Sequence, residues 1–237
     1  MRISRIRWVP ARAVRRPVDA WTAVAAIAVT AMAAWAVSPG TVAALERSVF
    51  RFVNGWPEAW RPVLWVFQLL GLLGAPLLVA VVALLLRRWR LALALALLPL
   101  VKLAVEKDVL KALVRRERPG TTIPGAVLRD VPSAGPSFPS GHAIIAFGVA
   151  VLLLPYLRRR WQMLVVLLAV LNSVARVYLG GHAPLDVIGG AAAGIAIGAL
   201  LNLVVGVPAE TPGRRPDRDP TGDAPRGGRP TETPGIA

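Results

Sequence analysis

Pro139-Ser140-Gly141-His142 stands where a Pro- and Gly-rich loop gives way to an apolar run, Ala143 to Leu154. Ser140 is a residue type that favours the N-cap, and Gly141 lets the backbone come close to a ligand. The start of a helix carries unpaired N–H groups and partial positive charge, so it attracts anions. His142, on the first turn, can give a proton to whatever is held there. Taken alone, these four residues read equally well as a loop-to-helix junction with a surface His. The chain on either side decides between the two readings.

The apolar run after His142 is one of several. The chain is 55% hydrophobic over 237 residues, and most of that content falls in stretches long enough to cross a bilayer. A formal charge of +15 would point to nucleic acid in a soluble protein. Here it reads as topology, through the excess of Lys and Arg on the cytoplasmic side of a membrane, and no nucleic-acid partner is expected. The absence of Cys excludes disulfides, a thiolate nucleophile and a Cys-based metal site.

Residues 1–16 hold six Arg and no acid, and an apolar run from about Ala20 to Val37 follows. A signal peptide opens the same way, but its apolar core is shorter, about 7–15 residues, so the run reads as a retained first span. Val42 to Val53 has apolar residues near helical spacing with Glu46, Arg47 and Arg51 between them. It reads as an amphipathic helix on the membrane surface or as an ordinary connection between spans. Further spans run from about Val63 to Leu86, from Leu91 toward Val105 with helix continuing to Val114, from Ala143 to Leu157, from Trp161 to Leu179 and from Leu185 to Val207. Lys102 and Glu106, four apart, can pair on one helix face. Gly189, Gly190, Gly194 and Gly198 permit close packing of the last span.

The expected fold class is therefore all-α, a polytopic membrane protein with six transmembrane helices. A basic cytoplasmic tail, 1–17, precedes the six-helix domain, 18–207, and a tail, 208–237, follows it. The last is rich in Pro, Gly and charge and is expected to be disordered and cytoplasmic. The N-terminal Arg residues, Arg87–Arg90 and Arg158–Arg160 lie at alternate loops, which places them inside and the segments 39–61, 106–141 and 180–184 outside. One outer loop breaks that rule, since Lys107, Lys111, Arg115, Arg116, Arg118 and Arg129 all lie within 106–141. Binding an anionic group is the obvious reason for basic residues on the wrong side.

Lys111 and Arg118 are seven apart, so a continuing helix would put them on one face before Pro119 ends it. Arg holds phosphate oxygens through two N–H groups, and Lys serves as a point charge. Arg176 lies near the outer end of the fifth span, where a cation in an apolar helix marks a functional site. His182 stands just before Pro184, which suits the first turn of the sixth span, and Asp186 stands within that turn. An Asp beside an imidazole can hold one ring N–H and leave the other nitrogen free as nucleophile or base. Each feature alone fits a solvated helix end or a capping pair. Together, three cations, both His of the chain, a helix start and an Asp converge on the outer face. With no Cys, few His and positive surroundings, a metal site is not expected.

Lys111–six residues–Arg118-Pro119, then Pro139-Ser140-Gly141-His142, then Arg176–five residues–His182–three residues–Asp186 resembles the signature of the type 2 phosphatidic acid phosphatase (PAP2) superfamily. That superfamily includes membrane lipid phosphatases and the vanadium haloperoxidases. The likeness spans roughly residues 40–205 and leaves both tails outside. One position departs: the family usually has Ser before the third-motif Arg, and this chain has Ala175.

The resemblance implies a PAP2/haloperoxidase-like helical bundle and a role for each residue. His182 would attack phosphorus and form a phosphohistidine, Asp186 would orient it, and His142 would protonate the leaving oxygen. Lys111, Arg118 and Arg176 would hold the phosphoryl oxygens, with Ser140 and the Gly141 N–H completing the cradle, and no metal or other cofactor is implied. The expected function is hydrolysis of a lipid phosphate or diphosphate at the outer face of the plasma membrane. Candidate substrates are polyprenyl diphosphate, phosphatidylglycerol phosphate and phosphatidic acid. A phosphotransferase using the same site, and a protein that binds or translocates lipid phosphates without hydrolysis, are the alternatives. The second has no use for a nucleophile.

Overall fold

In a computed structural model the described residues are 13–209. Residues 1–12 and 210–237, which make up most of both expected tails, lie outside them. The first and last described segments pair: β1 (Ala13–Val14) runs antiparallel to β2 (Val207–Pro208), with Ala13 opposite Pro208. The expected tails thus begin as a two-stranded clasp.

Helix α1 (Pro17–Val37) starts at a proline, where the missing N–H costs nothing, and Asp19 in its first turn pairs with Arg16 at 2.9 Å. Then come α2 (Ala44–Asn54), a 3₁₀ turn (Glu58–Trp60), α3 (Arg61–Gln68), a second 3₁₀ turn (Leu69–Gly71) and α4 (Gly74–Leu85). Helix α5 (Trp89–Leu103) passes into a π-helical stretch (Ala104–Leu110) and the short α6 (Lys111–Leu113). After α7 (Pro119–Thr122) and a long loop come α8 (Gly141–Leu153), α9 (Arg159–Tyr178) and α10 (Pro184–Val205).

By length and composition, α1, α9 and α10 can each cross a membrane, and the pair formed by residues 58–71 and 74–85, bent by 67°, makes a fourth candidate. Helix α8 with its following turn is apolar but shorter. Length and composition thus support three or four of the six expected spans. The expected second span, Val63 to Leu86, is broken in the middle. At the break the chain lies close against α8: a Cβ added at Gly71 would lie 2.5 Å from the His142 Cβ, a distance only glycine allows.

The expected helix through Lys111 to Arg118 also differs. Helical structure ends at Leu113, Val114 is extended, and Arg118 is the extended residue before α7. Pro119 disfavours helical backbone at the residue before it, which accounts for the extended Arg118 but not for the helix end at Leu113.

Helices α8 and α10 form the centre, with α5 beside them. Leu95 and Leu98 of α5, Ile144, Ile145 and Leu152 of α8 and Ile197 of α10 are all buried in one cluster. The α10 glycines make the close approach: a Cβ at Gly190 would lie 2.5 Å from the Ser140 carbonyl oxygen, and one at Gly194 would meet the Ile144 carbonyl. Small residues let helix backbones touch where lipid offers no hydrophobic drive for association.

The outer surface is apolar in the opposite sense to a soluble protein. Trp21, Met32 and Trp35 of α1, Leu78 and Leu85 of α4, and Met163 of α9 are all exposed. Helix α2 does have the expected amphipathic character, exposing Leu45 and Phe52. Yet Glu46 faces inward, buried with Phe50 and Asn54.

The helix ends fall in two groups. At one end, the β1–β2 clasp and an Arg15 Nε donation to the Leu203 carbonyl (2.9 Å) join the start of α1 to the end of α10. At the other, Val37 from the end of α1 packs with Val114 and Phe138, next to the start of α8.

Candidate active site

The loop between α6 and α8 is held by buried polar side chains. Asn54 of α2 donates to the Val127 and Tyr178 carbonyls and accepts the Val127 N–H, each at 2.8 Å. The Arg129 Nη1 donates to the Asn54 and Tyr178 carbonyls at 3.0 and 2.7 Å, and its guanidinium stacks on the Tyr178 ring at 4.1 Å. Arg129 also binds Glu58, and that hydrogen bond holds the Glu58 carboxylate below its ordinary pKa. Arg129 is therefore engaged in fastening the loop. Arg116 is engaged too, buried between Glu46 at 2.6 Å and Asp186 at 3.1 Å. Two of the six basic residues expected to face an anion thus satisfy carbonyls and carboxylates instead.

The remaining expected residues converge at one end of the bundle. The Arg118 Nη1 donates to the Gly181 carbonyl at 2.9 Å, in the turn that carries His182. A Cβ at Gly181 would lie 2.5 Å from an Arg176 Nη atom, so both guanidinia flank that turn. His142 lies within electrostatic reach of Arg176, Lys102 and Arg118, and His182 within reach of Arg176, Arg118, His142 and Lys111. Ser140 occupies the N-cap position of α8, but its side chain makes no cap bond, and its buried hydroxyl has no partner.

Lys111 is held at 2.5 Å by Glu106, which also pairs with Lys102, as the four-residue spacing of that pair foreshadows. A Cβ at Gly141 would lie 2.7 Å from a Glu106 carboxylate oxygen and 2.9 Å from the Lys102 Nζ. The missing side chain at Gly141 is the space that this ion cluster fills.

His182 is buried, 3% exposed, in the α9–α10 turn. Burial first, and then the positive charges of Arg176 and Arg118, push its pKa well below the ordinary imidazole value, so the ring is neutral at pH 7. Asp186 does not hydrogen-bond the ring directly, since its Oδ2 lies 3.9 Å from Nδ1. That oxygen instead accepts the Ser137 hydroxyl at 2.5 Å and the Ala183 N–H at 2.8 Å, closing the first turn of α10.

Sequence reasoning missed several residues of the site. Gln68 accepts from the Arg176 Nη1 at 2.6 Å, and Asn172 donates to the Phe67 and Gln68 carbonyls at 3.0 and 3.2 Å. Ser137, Arg116 and Glu46 surround Asp186. Polar residues in apolar helices were the available signal for Gln68 and Asn172, because such residues need a partner.

A family model described as PAP2 superfamily matches residues 87–207. A lipid A 4'-phosphatase of Bacteroides thetaiotaomicron is 46% identical over 61 residues, which is 25% of this chain and 27% of that protein. A putative undecaprenyl-diphosphatase, YbjG of Escherichia coli, is 44% identical over 68 residues, 29% of this chain and 34% of that protein. The matched stretches thus span only about a quarter to a third of those relatives' length. The crystal structure of Aquifex aeolicus LpxE superposes with a TM-score of 0.58 at 26% identity, covering 67% of this chain and 95% of that one. A transmembrane PAP2-type phosphatidylglycerolphosphate phosphatase from Bacillus subtilis superposes with a TM-score of 0.64, covering 77% of this chain and 94% of that one; at 24% identity the likeness is one of fold. The family match takes in all three motifs and just over half of the sequence, and the chain belongs to the PAP2 superfamily.

Proposed function

We propose that the chain is an integral membrane phosphatase that hydrolyses a lipid phosphate or diphosphate at the outer face of the plasma membrane. The observation that carries this reading is the convergence of both His residues with Arg118, Arg176 and the unpaired Ser140 hydroxyl at the start of α8. Cations and a helix start explain anion binding, but two imidazoles inside that cradle explain chemistry.

In this mechanism the phosphoryl oxygens sit between Lys111, Arg118, Arg176, Ser140 and the Gly141 N–H. His182, neutral through burial, attacks phosphorus through Nε2, since Nδ1 faces Ser137 and Asp186. The bond to the lipid oxygen breaks as His142 donates its proton to that oxygen. Water then attacks the phosphohistidine, its proton passes to His142, and phosphate leaves with His182 restored. Negative charge on the phosphoryl oxygens is stabilised by fixed donors, and the reading is metal-independent. Among the described residues there is no group of three or more His, Cys, Asp or Glu that could hold a metal ion.

Six spans are part of the same proposal: α1, α3 with α4, α5, α8, α9 and α10, with both termini cytoplasmic. The clasp near Arg15 and Arg16 and the gathering of the site at the opposite end support it. The expected domain limits, 1–17, 18–207 and 208–237, follow from it.

The test is phosphate release by purified protein from polyprenyl diphosphate, phosphatidylglycerol phosphate and phosphatidic acid. Release from at least one, abolished by His182→Ala, is expected. No release from any of them, under conditions where the protein is monodisperse, overturns the phosphatase reading.

A further inference from the structure

Asp186 is fixed by groups that are not among the named residues of the three motifs. Its Oδ1 accepts from the Arg116 Nη1 at 3.1 Å, and its Oδ2 accepts from Ser137 and Ala183. With those bonds made, the ring of His182 lies 3.9 Å away, while the Ser137 Oγ is closer to Nδ1, at 3.5 Å. The Ser137 proton is committed to Asp186, so its oxygen offers a lone pair to the ring. That favours the tautomer with hydrogen on Nδ1 and leaves Nε2 free.

Behind Asp186, the Arg116 side chain is entirely buried, and its second arm binds Glu46 Oε2 of α2 at 2.6 Å. The other Glu46 oxygen accepts the Leu185 N–H at 2.9 Å, one residue before Asp186. A single carboxylate of α2 thus fixes both Arg116 and the first turn of α10. A buried Arg between two buried carboxylates is held firmly, because removing one partner leaves a charge uncompensated.

We propose that Ser137, Arg116 and Glu46 are positioning residues for the nucleophile, acting through Asp186, so that the amphipathic helix α2 forms part of the catalytic architecture. This rests on the reading that His182 attacks phosphorus. Other charged and titratable groups also face His182: Arg176 from α9, His142 from α8, Lys111 from α6 and Arg118 from the loop. These stay constant when Glu46 or Arg116 is changed. Glu46→Gln removes a negative charge and disfavours the imidazolium, so the acid limb of kcat moves to lower pH. Arg116→Gln removes a positive charge and moves the limb to higher pH, each by on the order of half a pH unit. Two opposite shifts are not what loss of packing would give.

The experiment measures kcat and KM against pH for the full chain in detergent, using nitrophenyl phosphate. Its leaving group departs without a proton and so isolates the step made by His182. Ser137→Ala, a small change that removes only the hydroxyl, is expected to lower kcat by about 10- to 100-fold, as a misplaced reacting group does, with KM little changed. The proposal is overturned if Ser137→Ala keeps the wild-type kcat, or if the two charge variants move the acid limb in the same direction or leave it in place. If Arg116→Gln does not purify, the sign of the Glu46→Gln shift and the Ser137→Ala rate decide. Wild-type protein that releases phosphate from nothing tested overturns the phosphatase reading itself, and this one with it.

Discussion

At the scale of single residues, the site depends on charges placed where water is scarce. His182 is the clearest case, with burial and two guanidinia favouring its neutral form. Its pKa lies below the ordinary value of about 6.5, so the nucleophile stays unprotonated as pH falls through that value. The acid limb of kcat is therefore expected below pH 6.5, read with nitrophenyl phosphate; a limb at or above 7 would contradict the assignment. Arg176 sets a second expectation. Its Nη1 bond to Gln68 is buried, and Gln68→Leu leaves a buried cation without its acceptor, a loss of about 1.5–3 kcal/mol. Part of that loss is expected at the anion, as a weakening of vanadate inhibition by about tenfold relative to wild type. Inhibition unchanged in Gln68→Leu would mean that Arg176 is positioned by other contacts. The three motifs could be recognised from the sequence, because together their residues and spacing resemble the signature of a known family. Gln68, Ser137 and Glu46 could not, since their role depends on which distant backbone the fold brings beside them.

At the scale of elements, irregular stretches sit beside the reacting groups. The expected helices were legible from apolar runs, and α1, α9 and α10 follow them closely. Periodicity could not show the break between α3 and α4, because both halves are apolar and the close neighbour at the break, His142, is more than 70 residues further along the chain. The amphipathic pattern of α2 was legible as well, but not that Glu46 points inward, since a carboxylate among apolar residues reads as solvent-facing until a buried Arg is found opposite. The break makes a direct prediction. Gly71→Ala places a methyl group against the His142 backbone and side chain and must displace one of them. A shift of His142 by about 1 Å is expected to cost about 10²-fold on a lipid phosphate, whose alkoxide needs a proton. The loss on nitrophenyl phosphate should be much smaller. Equal losses on both substrates would show that the break supports the whole site, not His142 in particular.

At the scale of the whole molecule, the proposed sidedness rests on the Arg clusters and on how the helix ends are grouped. Arg clusters at alternate loops are the basis in the sequence for the expected orientation, and the β1–β2 clasp joins residues 13–14 to residues 207–208 at one end of the bundle. The expected count of six spans is matched by three or four candidates, since the pair formed by residues 58–71 and 74–85 is bent and α8 is short. In the proposed arrangement three passes, α8, α9 and α10, separate Ala134, exposed in the loop before the Ser140 turn, from Ala209 at the end of the clasp and place the two on opposite sides. The chain has no Cys, so a single one can be introduced at either position without background. Ala134→Cys is expected to react with an impermeant thiol reagent added to intact cells, and Ala209→Cys only after lysis. An even number of passes between the two positions, as when the short α8 does not cross, would put them on the same side, and both or neither would then label in intact cells. Labelling of Ala209→Cys alone in intact cells would keep the three passes between the two positions but invert the protein, moving the site to the cytoplasmic face and confining it to lipid phosphates of the inner leaflet.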